Sequence, residues 1–409
     1  MYVASVQRPP GGVDRTRRIA GNVLALGAVS LITDVSSEMV TAVLPLYLVV
    51  GLGLGPLAYG LVDGLYTGAT ALLRLVGGYL ADRVRRRKLV AGLGYAMSAV
   101  AKAGLLVAGS SLPGIGATVI ADRAGKGLRT APRDALISLS TPESDLGRAF
   151  GVHRTMDTIG ALGGPLLALG VLAWSGQAFD AVFVTSTCIA VIGVLVLVVF
   201  VQDRRGPRPP SGTVSPGSAL ALVRRAPVRV LLGAAVLLGL STIGDGFVYL
   251  LLQRRESLAT GWFPLLAVGT SLVYLLLATP FGVLADRIGR RWVLLGGYGA
   301  LIAVYLLLAG PWGGLPALLV VLALYGCFYA ATDGVLMALA GPLLPAELRT
   351  TGLALLQSGQ ALAYLVSSVL FGLAWQLWGS GGAIRAAAAA ATLTLAGSAA
   401  LLLKPAATS

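Results

Sequence analysis

Asp34 and Glu38 stand one helical turn apart in SLITDVSSEMVTAVLPLYLVV (30–50), a run that is otherwise lipid-soluble. At that spacing both carboxylates share one helix face. Acids in such a setting can take up and release protons, or help to ligate a cation. A second constellation, GIGATVIADRAGKGLRTAPRD (114–134), sets Asp122, Arg123, Lys126 and Arg129 within about two turns. His153, the only histidine in the sequence, has Arg154 beside it and Asp157 one turn on. Histidine titrates near neutral pH, so a proton relay and a purely structural role are both open. Farther along, Asp245 is followed at helical spacing by Tyr249 and Gln253. No cluster of His or Cys has metal-ligand spacing, and no metal or other cofactor is expected.

The elements that must position these residues are membrane helices. Of 409 residues, 56% are hydrophobic and 12% charged, and the mean hydropathy is +0.84, far outside the soluble globular range. Twelve runs are long enough to cross a hydrocarbon core of roughly 30 Å: 19–50, 57–80, 89–110, 114–133, 147–173, 181–201, 228–252, 262–284, 292–311, 315–340, 350–376 and 382–403. The predicted fold is all-α and polytopic. A lone charge facing lipid is expensive, so the charges inside these spans are expected to face a cavity or a partner.

The net charge of +14 is sorted by loop. Arg8, Arg15, Arg17 and Arg18 precede span 1, RVRRRK (83–88) follows span 2, and five arginines follow span 6; Arg287, Arg290 and Arg291 follow span 8, and Lys404 follows span 12. The alternate loops hold Arg254, Arg255 and Arg385. The positive-inside rule then puts both termini and the segment after span 6 in the cytoplasm, in the cell membrane, and argues against nucleic acid as a partner. Residues 1–18 lack a signal-peptide apolar core, so span 1 is expected to direct insertion itself. Cys188 and Cys327 fall inside spans, which argues against a disulfide framework. Trp174, Trp262, Trp312 and Trp378 lie at predicted outer helix ends, where an indole anchors at headgroup level.

Depth orders the charges. Asp34 lies roughly 24 Å along the helix from Arg18. Asp63 in span 2 and Lys102 in span 3 come to a similar level, and Arg123 sits near the midplane. Asp34 and Glu38 are therefore expected to face the cavity of the first bundle and to meet Lys102 and Arg123 there. Such a carboxylate exchanges its proton according to which side is open, as proton coupling requires. A permanent salt-bridge network holding spans 1–4 together is the alternative. Asp245 and Tyr249 are expected to help bind substrate in the second bundle.

The Pro-, Ser- and Arg-rich segment 202–227 divides the spans six and six. The expected domains are a tail (1–18), a bundle (19–201), this linker, a second bundle (228–403) and a tail (404–409). GYLADRVRRR (78–87) and GVLADRIGRR (282–291) recur at an offset of 204 residues, RAFG (148–151) and RTTG (349–352) at 201, which indicates a duplicated unit. Here the sequence resembles the major facilitator superfamily. That family's loop pattern G-x-L-A-D-R-x-G-R-R/K is matched in full by Gly282, Leu284, Ala285, Asp286, Arg287, Gly289, Arg290 and Arg291, whereas the first copy has Arg85 at the second glycine. The resemblance implies two pseudo-symmetric six-helix bundles and a gating role for Asp82, Arg83, Asp286 and Arg287. Arg123 and Gly127 match the family's span 4 pattern R-x-x-Q-G, with Lys126 in place of glutamine; the resemblance associates that arginine with proton transfer. Gly151, Gly160, Gly164 and Pro165 resemble the antiporter signature of the efflux branches, ending in Ala168 and Leu169 where two glycines are usual. Small residues at this spacing also serve ordinary helix packing.

The expected function is a proton-coupled exporter of small organic molecules, monomeric in the bilayer, working by alternating access. Asp34, Glu38, Asp63, Lys102 and Arg123 are the expected proton-coupling set. Asp34, Glu38, Arg123, Lys126, Asp157, Asp245 and Tyr249 are the expected substrate site. Proton-symport import, export of a metal ion or chelate, and a transporter-like sensor are the alternatives; the chain shows no nucleotide loop or nucleophile-base spacing that would make it an enzyme.

Overall fold

The computed structural model describes residues 20–84, 86–142, 145–203, 222–344 and 349–403, the side chains of 71–72, 74–84, 147, 341 and 349–351 excepted. Every regular element among them is helical, as a chain must be when lipid offers its backbone no hydrogen bonds and no closed barrel is formed. Nine helices among the described residues are long and apolar enough to cross a membrane. The last, Gly352–Leu403, contains spans 11 and 12, joined at Gly379, whose φ of 72° lies in the left-handed region. Spans 2 and 4, which carry interior charges, are the helices Pro56–Val84 and Leu112–Leu139 and stand outside that nine.

In the first bundle, span 1 (Gly21–Leu46, running on into a π turn, Tyr47–Gly51) lies against span 5 (Leu146–Trp174) and span 6 (Phe179–Phe200). Span 4 lies against span 2 and span 3 (Arg87–Ala108). In the second bundle, span 10 lies against span 8 (Pro264–Ile288) and span 9 (Arg290–Ala309), while spans 7 and 9 lie against the helix of spans 11 and 12. The bundles meet through span 2 on span 11 and span 5 on span 8.

Two spans that read as continuous in sequence are interrupted. Span 7 is Ala226–Leu240 and Asp245–Arg255, with a break at Ser241–Gly244. Ser241 and Thr242 turn their hydroxyls back onto Leu238 O at 2.6 and 3.0 Å, competing with the helix ladder. The Tyr305 hydroxyl then takes up two freed backbone groups, donating to Ser241 O at 3.0 Å and accepting from Ile243 N at 3.0 Å. Tyr305→Phe is expected to destabilise the fold by about 1–3 kcal/mol, the range for stranding a buried polar group; thermal unfolding in detergent measures it, and an unchanged transition would show that the break is held otherwise. Span 10 is Leu315–Thr332 and Val335–Ala340, broken at Asp333 and Gly334. The Tyr274 hydroxyl donates to Asp333 Oδ2 at 2.7 Å.

The two ends of the molecule differ. At the linker end Asn22 binds Ser140 (2.7 Å) and Gln202 N (2.8 Å), and Lys88 N binds Asp203 (3.2 Å), fastening the start of the linker to spans 1, 3 and 4. At the far end, spans 1, 2, 7 and 11 close on an aromatic plug of Tyr59, Phe247, Phe371 and Trp375, each at most 5% exposed, with Tyr59 edge-on to Phe247 at 4.6 Å. Span 2 reaches span 11 backbone to backbone: a Cβ on Gly60 would meet Ser368 O at 2.5 Å, and one on Gly372 would meet Pro56 O at 2.5 Å. Arg255, an exception to the charge sorting, caps the C-terminal carbonyls of span 9 and the following loop, donating to Leu307 O at 2.7 Å, Gly310 O at 2.9 Å and Trp312 O. The four anchor tryptophans are all exposed.

Candidate functional site

Span 1 turns a polar stripe of Ser30, Asp34, Ser37, Glu38 and Thr41 toward a cationic stripe on the antiparallel span 4. Arg133 donates to Ser30 Oγ at 3.0 Å. Arg129 lies 3.9 Å from Asp34 Oδ1, and its guanidinium stacks over the Tyr95 ring at 4.5 Å. Lys126 and Arg123 are the cations that act on Glu38 electrostatically. Lys102 donates to Ser37 Oγ at 3.2 Å.

This arrangement corrects the expected pairing in part: Arg123 does act on Glu38, but the ion pairs lie elsewhere. Lys102 and Arg123 both go to Asp122, Lys102 at 3.5 Å and Arg123 through a close hydrogen-bonded pair, so Asp34 takes Arg129 instead. Depth along a helix gives a residue's level and not its azimuth, and Asp122 on span 4 intercepts both cations first. Arg123 also lies 3.8 Å over the Tyr66 ring, whose hydroxyl is bonded to Thr41 at 2.9 Å. Gly94 and Gly125 let spans 3 and 4 approach to backbone contact at this level, since a Cβ on either would meet the other's carbonyl oxygen at 2.7 and 2.5 Å.

Asp63 lies on another face and nearer the far end, since Tyr66, one turn from it toward the linker end, is already level with Thr41. It accepts from Ser368 of span 11 at 2.5 Å and from Tyr59 at 3.3 Å, and it fills the space beside Gly244 at the break of span 7. It is therefore part of the seam between bundles and not a neighbour of Lys102.

The glycines of span 5 seat it on the acidic turns of span 1. A Cβ on Gly160 would meet Leu31 O at 2.6 Å and Asp34 Cβ at 3.2 Å, and one on Gly164 would meet Glu38 Cβ and Val35 O at 2.7 Å. Pro165 lies inside the same helix. One to two turns toward the linker, His153 Nδ1 stands 3.5 Å from Asp157 Oδ1, among the charges of Arg133, Asp134 and Arg154.

In the second bundle Asp245 opens the helix after the break of span 7. Its Oδ1 accepts from the Tyr325 hydroxyl at 2.6 Å and from the Tyr329 hydroxyl. Tyr249 stands behind this pair: it is 8% exposed, edge-on to Tyr325 at 6.1 Å and to Phe263 at 6.3 Å. Span 10 supplies the two phenols that bind the carboxylate. The tyrosines were missed because single phenols in an apolar helix read as core.

At the linker end Asp286 pairs with Arg290 at 3.1 Å, and Arg290 donates to Ala338 O at 2.7 Å, tying the loop after span 8 to the end of span 10. Gly289 has φ 103°, so the second glycine of the loop pattern meets a real backbone demand. Arg287 is exposed. The side chains of Asp82 and Arg83 and all of Arg85 lie outside the described residues. Asp34, Glu38, Asp122, Lys126, Asp245 and Tyr329 all keep partial exposure while the far-end plug is shut, so the cavity they line is reached from the linker end.

Comparison with known proteins agrees with this architecture. The family model described as Major Facilitator Superfamily matches residues 26–264 and 256–409. An uncharacterized MFS-type transporter of Methanocaldococcus jannaschii is 32% identical over 375 residues, 89% of this chain and 91% of that protein. An uncharacterized protein of Mycobacterium bovis is 36% identical over 189 residues, 46% of this chain and 45% of its own length. Among solved structures, a mutant of the nucleoside transporter NupG superposes with a TM-score of 0.80 at 15% identity, covering 93% of this chain and 99% of that one. A mutant of the peptide transporter POT does so at 0.74 and 15%, covering 93% and 94%.

Proposed function

We propose, from the premise that the chain belongs to the major facilitator superfamily of multi-pass membrane transporters, that it is a proton-coupled exporter of small organic molecules. It works as a monomer in the cytoplasmic membrane, with linker and termini in the cytoplasm, and resembles the drug:proton antiporters. One observation carries the reading: the acidic stripe of span 1 faces the cationic stripe of span 4 in a cavity open at one end. Of its contacts, Arg129 to Asp34 at 3.9 Å is the loosest ion pair. A loose pair is easily exchanged for a proton or a substrate group.

In the cycle, Asp34 is ionised on Arg129 while the linker end is open and substrate enters. After the bundles rock and substrate leaves at the far end, a proton from that side neutralises Asp34 and frees Arg129. The empty carrier returns, and the proton is lost to the cytoplasm as the pair re-forms. Glu38, one turn away and facing Lys126 and Arg123, shifts the charge balance of the same cavity. His153 and Asp157 lie between this cavity and the linker end and offer the proton a way out. Asp286 and Arg290 brace the linker-end loop through which the gate moves. The glycines of span 5 support the export reading by seating that helix on the coupling turn.

Proteoliposomes carrying an internal pH dye test this under an imposed gradient, with cationic, neutral and anionic compounds added in turn. Compound-dependent proton flux is expected in the wild type, and Asp34→Asn is expected to reduce it by at least about a hundredfold, as removal of a required proton carrier does. Flux that is undiminished in the variant would move coupling away from span 1. Protons moving in the same direction as the compound would make the protein a symporter.

A further inference from the structure

The wall that the second bundle turns to the cavity is a carboxylate among phenol rings with no cation in it. The hydrogen bonds from Tyr325 and Tyr329 both arrive at Asp245 Oδ1; among the described residues none reaches Oδ2. No Lys, Arg or His among the described residues pairs with it; its hydrogen bonds come from those two phenols, and the other charge close enough to act on it is the acid Asp63. Around it the rings of Tyr325 and Tyr329 stand 5.3 Å apart at 67°, Tyr249 meets Tyr325 at 6.1 Å, and Phe328 stacks on Tyr325 at 5.9 Å. Asp245 and Tyr329 are only partly buried, so the open oxygen and one ring face solvent in the cavity.

Two phenols fixed on one oxygen orient the carboxylate and leave its other oxygen as an unmatched acceptor. Its natural complement is a cation with N–H donors, or a quaternary one seated against the ring faces. The opposite wall argues for the same placement. Lys102, Arg123, Lys126, Arg129 and Arg133 outnumber Asp34, Glu38, Asp122 and Asp134 there, so an ammonium group is repelled from the first bundle and drawn to the second.

We infer that Asp245, with Tyr325 and Tyr329, is an ammonium subsite, and that the transported molecules are organic amines or quaternary ammonium compounds. The inference rests on the transporter reading for its cargo, but the subsite can be tested without flux. The full chain in nanodiscs is titrated calorimetrically with two matched pairs: choline against 3,3-dimethylbutan-1-ol, and phenethylamine against phenethyl alcohol. Each pair differs by a positive charge at nearly constant shape.

In the wild type the charged member is expected to bind at least about tenfold more tightly than its neutral partner, the scale of a desolvated cation–π and carboxylate contact. Asp245→Asn is expected to erase that difference while keeping the neutral affinity. Tyr329→Leu is expected to narrow it with the carboxylate still present. Asp333→Asn, an acid outside the ring cluster, is expected to leave it intact. No preference for charge in the wild type, a preference that survives Asp245→Asn, or no binding of any of the four compounds overturns the subsite. Loss of proton-driven flux with the charge preference intact would overturn the transport cycle alone.

Discussion

Asp122→Ala is expected to destabilise the protein by about 3–5 kcal/mol, the range for breaking a buried ion pair by removing one partner. Asp122 holds Arg123 and Lys102 together, and each of those side chains is 3% exposed. Removing the carboxylate leaves two cations in a low-dielectric interior with Arg129 nearby and no other ion pair to either of them among the described residues. Unfolding in detergent, followed by tryptophan fluorescence, measures the change. The sign of a second substitution separates charge from packing. If stranded cations are the cause, Asp122→Ala with Lys102→Met is more stable than Asp122→Ala alone. If Asp122 merely contributes contacts, the double variant is the less stable of the two.

A single methyl group on span 5 is expected to do comparable damage to transport. Gly164→Ala places a Cβ 2.7 Å from Val35 O and Glu38 Cβ and 2.9 Å from Met39 N, inside any real carbon contact. Two of these neighbours are helix backbone, which gives way only if span 1 moves as a unit. Overpacking of this kind costs about 1–3 kcal/mol. Because the displaced turn carries Glu38 and lies beside Asp34, flux is expected to fall by at least about tenfold, as misplaced reacting groups do. Gly163→Ala is the control: its Cβ would meet only Val35 Cγ2 at 3.5 Å, an ordinary contact. Equal flux in the two variants would show that the glycines pack the helix without positioning the acids.

The twelve spans were legible because hydropathy and length alone demand helices across lipid, and the duplicated loop pattern pointed to two bundles. Asp34 and Glu38 were legible as cavity residues because a charge in such a run has nowhere else to go. Their partners were not. Rise per residue alone set Asp34, Asp63 and Lys102 at one level, but a helix turns about 100° per residue and each span starts at its own depth, so Asp63 meets span 11 and Lys102 meets Asp122. The break in span 7 was hidden for a different reason: STIG is apolar enough to continue a span, and the tyrosine that stabilises its interruption lies 62 residues away. Asp245 was found from its charge, while Tyr325 and Tyr329, which define its surroundings, carry no pattern that separates them from core.

The far-end seam between spans 2 and 11 is built from Gly60, Gly64, Gly68 and Gly372 against backbone and Leu365. Surfaces of this kind touch closely without teeth, so the two helices can swing apart like the leaves of a smooth hinge, and little resistance is distributed along their length. Among the described residues a polar catch crosses this seam where Asp63 grips Ser368 beside the aromatic plug. In the proposed cycle, turning the cavity to the other side breaks that grip, 29 residues along the chain from Asp34.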